Sequence, residues 1–214
     1  MSLRLFPQRE FIEQNQDLFS TLTPAIVQYI VNISAQYKYL FVVNPKAACS
    51  STLLSLQKLE LRDPDFGYKD FQLIHRRHLS PLLNVYQVRS VSEIRADPAW
   101  FKFCFVRNPY TRLLSAYLDK ICRNLQQKSL ILRHMGLPGE DLKQEISFAD
   151  FISAVVETPN STLDGHWQVQ YHGLLMPMID YHFIGRFERF DQDLREVFCR
   201  LGVNGDRYLY RETA

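Results

Sequence analysis

The stretch Tyr39-Leu-Phe-Val-Val-Asn-Pro-Lys-Ala-Ala-Cys-Ser-Ser-Thr52 decides the fold. Its apolar run, residues 40–43, has the β-branched and aromatic make-up of a buried strand. Pro45-Lys46 stops the run, and residues 51–61 read as a helix that opens on hydroxyls. Strand, turn and helix start in this order bring unpaired helix N–H groups and the positive end of the helix dipole to the turn. Such a turn holds a phosphate or sulfate. It is not the common nucleoside-triphosphate loop: the Gly-x-x-x-x-Gly-Lys spacing is absent, and Lys46 precedes the turn. Ala47, Ala48, Cys49, Ser50, Ser51 and Thr52 would wrap the anion at the 5′ end of a nucleotide, with Lys46 on the oxygen of the bond being broken.

A second segment repeats the logic. In Phe101-Lys-Phe-Cys-Phe-Val-Arg-Asn-Pro-Tyr-Thr-Arg-Leu-Leu-Ser115 a strand at 101–106 ends on Arg107, and Pro109 fits the first position of a helix running towards Lys128. Arg112 and Ser115 are three apart and share a helical face. A guanidinium and a hydroxyl so placed suit a monophosphate, because arginine offers a fork of charge-assisted bonds. Arg112 also reads as the partner of an acid at the helix start. Two anion-holding turns in one chain imply a ligand with two separate anionic groups.

The rest of the chain is compatible with a single domain over 1–214, its core at 38–200. Residues 8–36 read as helical in places, with Thr23-Pro24 as a helix start. Residues 71–74 read as a short strand leading into His75-Arg-Arg-His78, and 181–184 as a last strand with Gly185-Arg186 as a turn. Ser147-Phe-Ala-Asp150 opens a helix through Val156, inside an expected acceptor-side insertion at 126–175. Residues 191–201 form a helix stopped by Gly202. Alternating strands and helices give an α/β fold with a central, mainly parallel sheet flanked by helices. Ligands in such folds sit beyond the carboxyl ends of the strands, where Lys46, His75, Arg107 and Arg186 all fall.

Composition narrows the function classes. Hydrophobic residues make up 46% and charged residues 22% of the 214, ordinary for a globular protein. A net charge of +2 with dispersed cations argues against a nucleic-acid partner. No apolar stretch reaches the length of a membrane span, and the N-terminus has no signal-peptide core. Cys49, Cys104, Cys122 and Cys199 stand singly, without metal or disulfide spacing, with Cys104 and Cys199 expected in the core. A cytoplasmic location and no metal follow as expectations. The sequons at Asn32 and Asn160 are read as chance matches.

Together the two segments resemble the sulfotransferases that use 3′-phosphoadenosine 5′-phosphosulfate (PAPS), in particular the carbohydrate sulfotransferase family that includes the chondroitin and dermatan enzymes. The resemblance continues, in order, through Asp164-Gly-His-Trp167 and Ile179-Asp-Tyr-His-Phe-Ile-Gly-Arg-Phe-Glu188. It implies a three-layer, P-loop-like fold, Lys46 on the phosphosulfate, and Arg107 and Ser115 on the 3′-phosphate, with Arg186 a further candidate there. It implies a carbohydrate hydroxyl as acceptor. The animal enzymes carry a Golgi membrane anchor, so a compact, soluble bacterial member is expected.

Transfer to a hydroxyl needs a base, and histidine suits neutral pH. His75 is the first choice and His78 and His166 the alternatives, while His182, alternating within an apolar run, reads as structural. His166 and Trp167 are read as acceptor-side residues, Trp167 either as a sugar platform or as a packed loop anchor. Arg186 and Glu188 read as an ion pair. The rivals are a small-molecule kinase, which would need a magnesium-binding acid beside the loop, and a nucleotide-binding module without chemistry.

Overall fold

The computed structural model describes residues 22–211 continuously, and residues 12, 15, 16 and 18 before them. Part of the helical expectation at 8–36 lies outside the described residues. Inside them, α1 (Pro24–Ile30) starts as expected, with Pro24 in its first turn and the Thr23 hydroxyl accepting from the Ile26 amide at 3.4 Å. The helix does not continue to residue 36. Val31 turns extended and β1 (Val31–Ser34) follows, buried throughout, because Val31 and Ile33 belong to the core.

The described residues form one four-stranded sheet in the order β1, β2 (Tyr39–Val42), β3 (Phe101–Val106), β4 (Phe183–Arg186). β1 runs antiparallel to β2, while β3 is parallel to both β2 and β4. Phe41 stacks on Phe103 with ring centres 5.1 Å apart, and Phe101 on Phe103 at 5.3 Å. Around the sheet lie α2 (Cys49–Leu61), α3 (Val91–Ala96), α4 (Pro109–Ala116), α5 (Lys128–His134), α6 (Phe148–Glu157), α7 (Gln170–Gly173) and α8 (Phe190–Arg200). The fold is therefore α/β with a mostly parallel sheet flanked by helices.

Several local expectations are corrected. Residues 71–74 are not a strand: Phe71–His75 is a 3-10 helix, capped by Asp70 accepting from the Gln72 amide at 2.9 Å. β2 already has β1 on one side and β3 on the other, so no edge beside it is left for another strand. Gly185-Arg186 is not a turn but the end of β4, paired with Phe105 and Val106. A Cβ at Gly185 would lie 2.5 Å from the Phe105 ring, which explains the glycine. The helix from Pro109 stops at Ala116 and passes into a π-helical turn, Tyr117–Ile121, closed by Cys122 N–H donating to the Tyr117 carbonyl at 3.1 Å. Cys199, expected in the core, is exposed; all four cysteines are free thiols.

A second apolar cluster lies apart from the sheet core. Ala116, Ile121, Leu132, Phe151, Ala154 and Trp167 belong to it, drawn from the end of α4, α5, α6 and the loop before α7. No helix among the described residues is long and apolar enough to cross a membrane.

Candidate active site

The loop after β2 is shaped by main-chain conformation. Lys46 and Ala48 take left-handed φ values of 67° and 59°, which non-glycine residues seldom adopt. Ala48 is the residue before α2 and offers no side-chain cap, so the start of this thirteen-residue helix is not closed by its own loop. Ala47 is buried and its amide donates back to the Asn44 carbonyl at 3.2 Å. The Thr52 hydroxyl turns inward onto the Ala48 carbonyl at 2.9 Å, and Ser51 is buried. Of the hydroxyls expected to wrap an anion, Ser50 points at His75. Burial pushes the Cys49 thiol up, against the nearby Lys46 charge, which works against a thiolate there.

Arg107 sits at the carboxyl end of β3, as read from sequence. Its guanidinium lies 4.0 Å from the centre of the Phe187 ring and donates to the Lys46 carbonyl at 3.0 Å, so the two anion segments touch directly. Burial lowers its pKa, opposed by Glu188. Glu188 accepts from the Asn108 amide at 2.7 Å and makes no ion pair with Arg186 among the described residues. Arg186 is exposed at the end of β4, its amide held by Asp193 at 2.7 Å. Ser115 is half-buried, with no hydrogen-bond partner for its hydroxyl among the described residues.

Arg112 is neither a phosphate ligand nor the partner of an acid. Its guanidinium is buried and donates to three main-chain carbonyls: Pro45 at 2.9 Å, Gln168 at 2.8 Å and Gly165 at 2.7 Å. Burial brings its pKa down to about 10, still charged at neutral pH. Because Pro45 precedes Lys46 and Gly165 precedes His166, one guanidinium fixes the lysine loop against the histidine loop. Gln170, which sequence reading did not single out, fastens the same region. Its amide exchanges bonds with the Arg107 main chain at 3.0 and 2.8 Å and accepts from Asn44 at 2.7 Å.

The histidines separate clearly. Both ring nitrogens of His75 are occupied, Nδ1 with Tyr29 Oη and Nε2 with Ser50 Oγ, each at 3.0 Å. Burial, then the charges of His166 and Lys120, lower its pKa to about 4, so the ring is neutral. His166 Nδ1 lies 2.5 Å from Asp164 Oδ1, which also accepts the His166 amide at 2.9 Å. Its Nε2 has no partner among the described residues. Burial would raise the Asp164 carboxyl, but the bond and charge of His166 outweigh it and the net shift is downward. His78 is exposed, and His182 extends the β3–β4 pairing through Lys102. Trp167 is 4% exposed and meets Phe151 edge-on at 5.4 Å, so its ring is a core anchor and not a sugar platform.

Sequence reading did not single out Asp119, which stands beside the lysine loop. Asp119 Oδ2 is 3.0 Å from Lys46 Nζ and 3.0 Å from Lys120 Nζ, and Oδ1 is 3.3 Å from Arg123. Burial acts to raise its pKa, but the bonds from Lys120 and Lys46 prevail and hold it at about 2. With three cations on it, this carboxylate is not free for a magnesium ion. Its position was legible in principle: Arg112, Ser115 and Asp119 follow at helical spacing along one face. No group of three histidine, cysteine or acidic residues able to hold a metal occurs among the described residues.

Comparison with known proteins bears on this arrangement. Carbohydrate sulfotransferase 14 of Mus musculus is 30% identical over 174 residues, covering 77% of this chain and 44% of its own length. The protein of the same name from Danio rerio is 29% identical over 188 residues, 83% of this chain and 49% of its own. Carbohydrate sulfotransferase 11 of Rattus norvegicus is 24% identical over 200 residues, 86% and 56% respectively. The chain thus spans about half the length of these relatives. No solved structure matches. The model of the Sulfotransferase family matches residues 28–213, a span that contains all four strands and every residue described around the site, and the chain belongs to that family.

Proposed function

We propose that this chain, as one domain, moves a sulfuryl group from PAPS to a hydroxyl of a carbohydrate. The observation that carries the reading is the Arg112 guanidinium, which joins the Lys46 loop to the His166 loop while Arg107 borders the same lysine loop from β3. The uncapped start of α2 suits the 5′ anionic end of the nucleotide. Lys46 supports the negative charge that grows on the leaving oxygen, an interaction stronger in the transition state than in the ground state. Arg107 and the unpaired Ser115 hydroxyl hold the 3′-phosphate, and Arg186 lies one strand further on. The relatives are named carbohydrate sulfotransferases, which supports a sugar as acceptor.

The geometry favours His166 over His75 as the base. A base needs an open nitrogen and a pKa near the working pH. His75 has neither, and its part is to orient Ser50. His166 has Asp164 on Nδ1, which fixes the tautomer and leaves Nε2 to take the acceptor proton. This reading calls for no metal. It includes the cytoplasmic location expected from the unpaired cysteines.

The test is a transfer assay with labelled PAPS, or with ATP, against a panel of glycans in the presence of a chelator. Sulfated product from PAPS alone is expected, and phosphorylated product from ATP would replace the reading by the kinase. His166→Ala should lower turnover roughly 10²–10⁴-fold with nucleotide affinity kept. Loss of turnover in His75→Ala but not in His166→Ala would return the role to His75.

A further inference from the structure

Lys46 has its ammonium held by an acid from another element. Its main-chain carbonyl is taken by Arg107 and its backbone sits in the left-handed region, so the loop is fixed and the ammonium is the part able to move. That ammonium donates to Asp119 Oδ2 at 3.0 Å. Asp119 stands on the π-helical turn Tyr117–Ile121, one helical turn beyond Ser115. The wider turn gives one carboxylate three cations, Lys46, Lys120 and Arg123. Two of these stay with Asp119 if Lys46 leaves, so releasing the lysine does not strand a buried charge. The Lys46 and Asp119 side chains are 20% and 23% exposed, partly open to solvent and hence to an arriving anion.

The geometry points to Asp119 as a positioning residue for Lys46, an internal competitor that holds the ammonium in the nucleotide-free protein and yields it to the anionic end of the donor. This rests on the reading of the Lys46 loop as the phosphosulfate site. The donor must displace a carboxylate from Lys46, and empty protein keeps its lysine neutralised. The groups facing Asp119 are the three cations named. His75 and Asp164 also feel the Lys120 charge.

The experiment is calorimetric titration with 3′-phosphoadenosine 5′-phosphate of the full chain and four variants: Asp119→Asn, Asp119→Glu, Lys46→Ala and the Lys46→Ala/Asp119→Asn pair. Asp119→Asn should bind roughly three- to tenfold more tightly, the range set by a partly exposed ion pair. Asp119→Glu, which can still pair, should stay near wild type, and the gain should largely vanish when Lys46 is already alanine. Unchanged or weaker binding by Asp119→Asn, or an equal gain without Lys46, overturns the inference and leaves the donor reading standing. If wild type ignores the nucleotide, the donor reading falls, and inorganic pyrophosphate serves as the probe for the same series; no binding of either anion overturns the inference too. Should Asp119→Asn fail to fold, wild type decides by NMR. Nucleotide must shift the Asp119 carboxyl and Lys46 ammonium resonances together, and an unmoved Asp119 is a refutation.

Discussion

Replacing Arg112 by lysine keeps a cation in place and removes the fork. In the native structure three guanidinium nitrogens serve three carbonyls on two loops, and the side chain is 5% exposed. A single ammonium at the end of a shorter, unbranched stem cannot reach Pro45, Gly165 and Gln168 together, so two of the three carbonyls lose their donor. Each stranded buried carbonyl costs about 1–3 kcal/mol. The Pro45 and Gly165 ends are only partly buried, and water relieves some of that cost, leaving roughly 2–4 kcal/mol. For a chain of this size the melting temperature should fall by about 5–15 °C. Thermal and urea denaturation read this directly, and turnover should fall further than nucleotide affinity because the two loops lose their mutual register. An Arg112→Lys protein within about 0.5 kcal/mol of wild type would refute the clamp. Intact stability with collapsed nucleotide affinity would instead make Arg112 a ligand.

Two further outcomes follow from the structure. The His75 pKa is lowered to about 4, below its unfolded value of 6.5, so the unfolded chain binds more protons between these values and stability falls as pH drops through that window; denaturant titrations from pH 7 to 4 should show a shallower fall for His75→Gln. Gly185→Ala should cost roughly 1–3 kcal/mol in the same assay, since its methyl would meet the Phe105 ring at 2.5 Å, and a neutral effect would show that the ring gives way freely.

Legibility followed the range of the interaction concerned. β2 and β3 could be read because their apolar runs end on local punctuation, Pro45-Lys46 and Arg107-Asn108-Pro109, and both are strands in the sheet. Residues 71–74 failed because a four-residue segment, three of it apolar, carries no information about whether a neighbour is free to pair, and β2 had none. Gly185 was misread because its reason is a ring on β3, far away in sequence. At the site, Lys46, Arg107 and His166 could be found from residue type beside a turn. Asp119 could be found only from its helical spacing after Arg112 and Ser115, and Gln170 not locally at all, since an amide paired to a distant main chain leaves no local signature. Trp167 divided between two readings that only burial could decide.

The Arg112 clamp grips main-chain oxygens and not side chains. At Gly165 even an added Cβ would meet nothing nearer than Pro45 Cγ at 3.8 Å, an ordinary contact. A side chain can therefore be added at position 165 while the carbonyl that the guanidinium holds stays where it is. What the loop presents at that position can change without disturbing the frame that joins the Lys46 loop to the His166 loop.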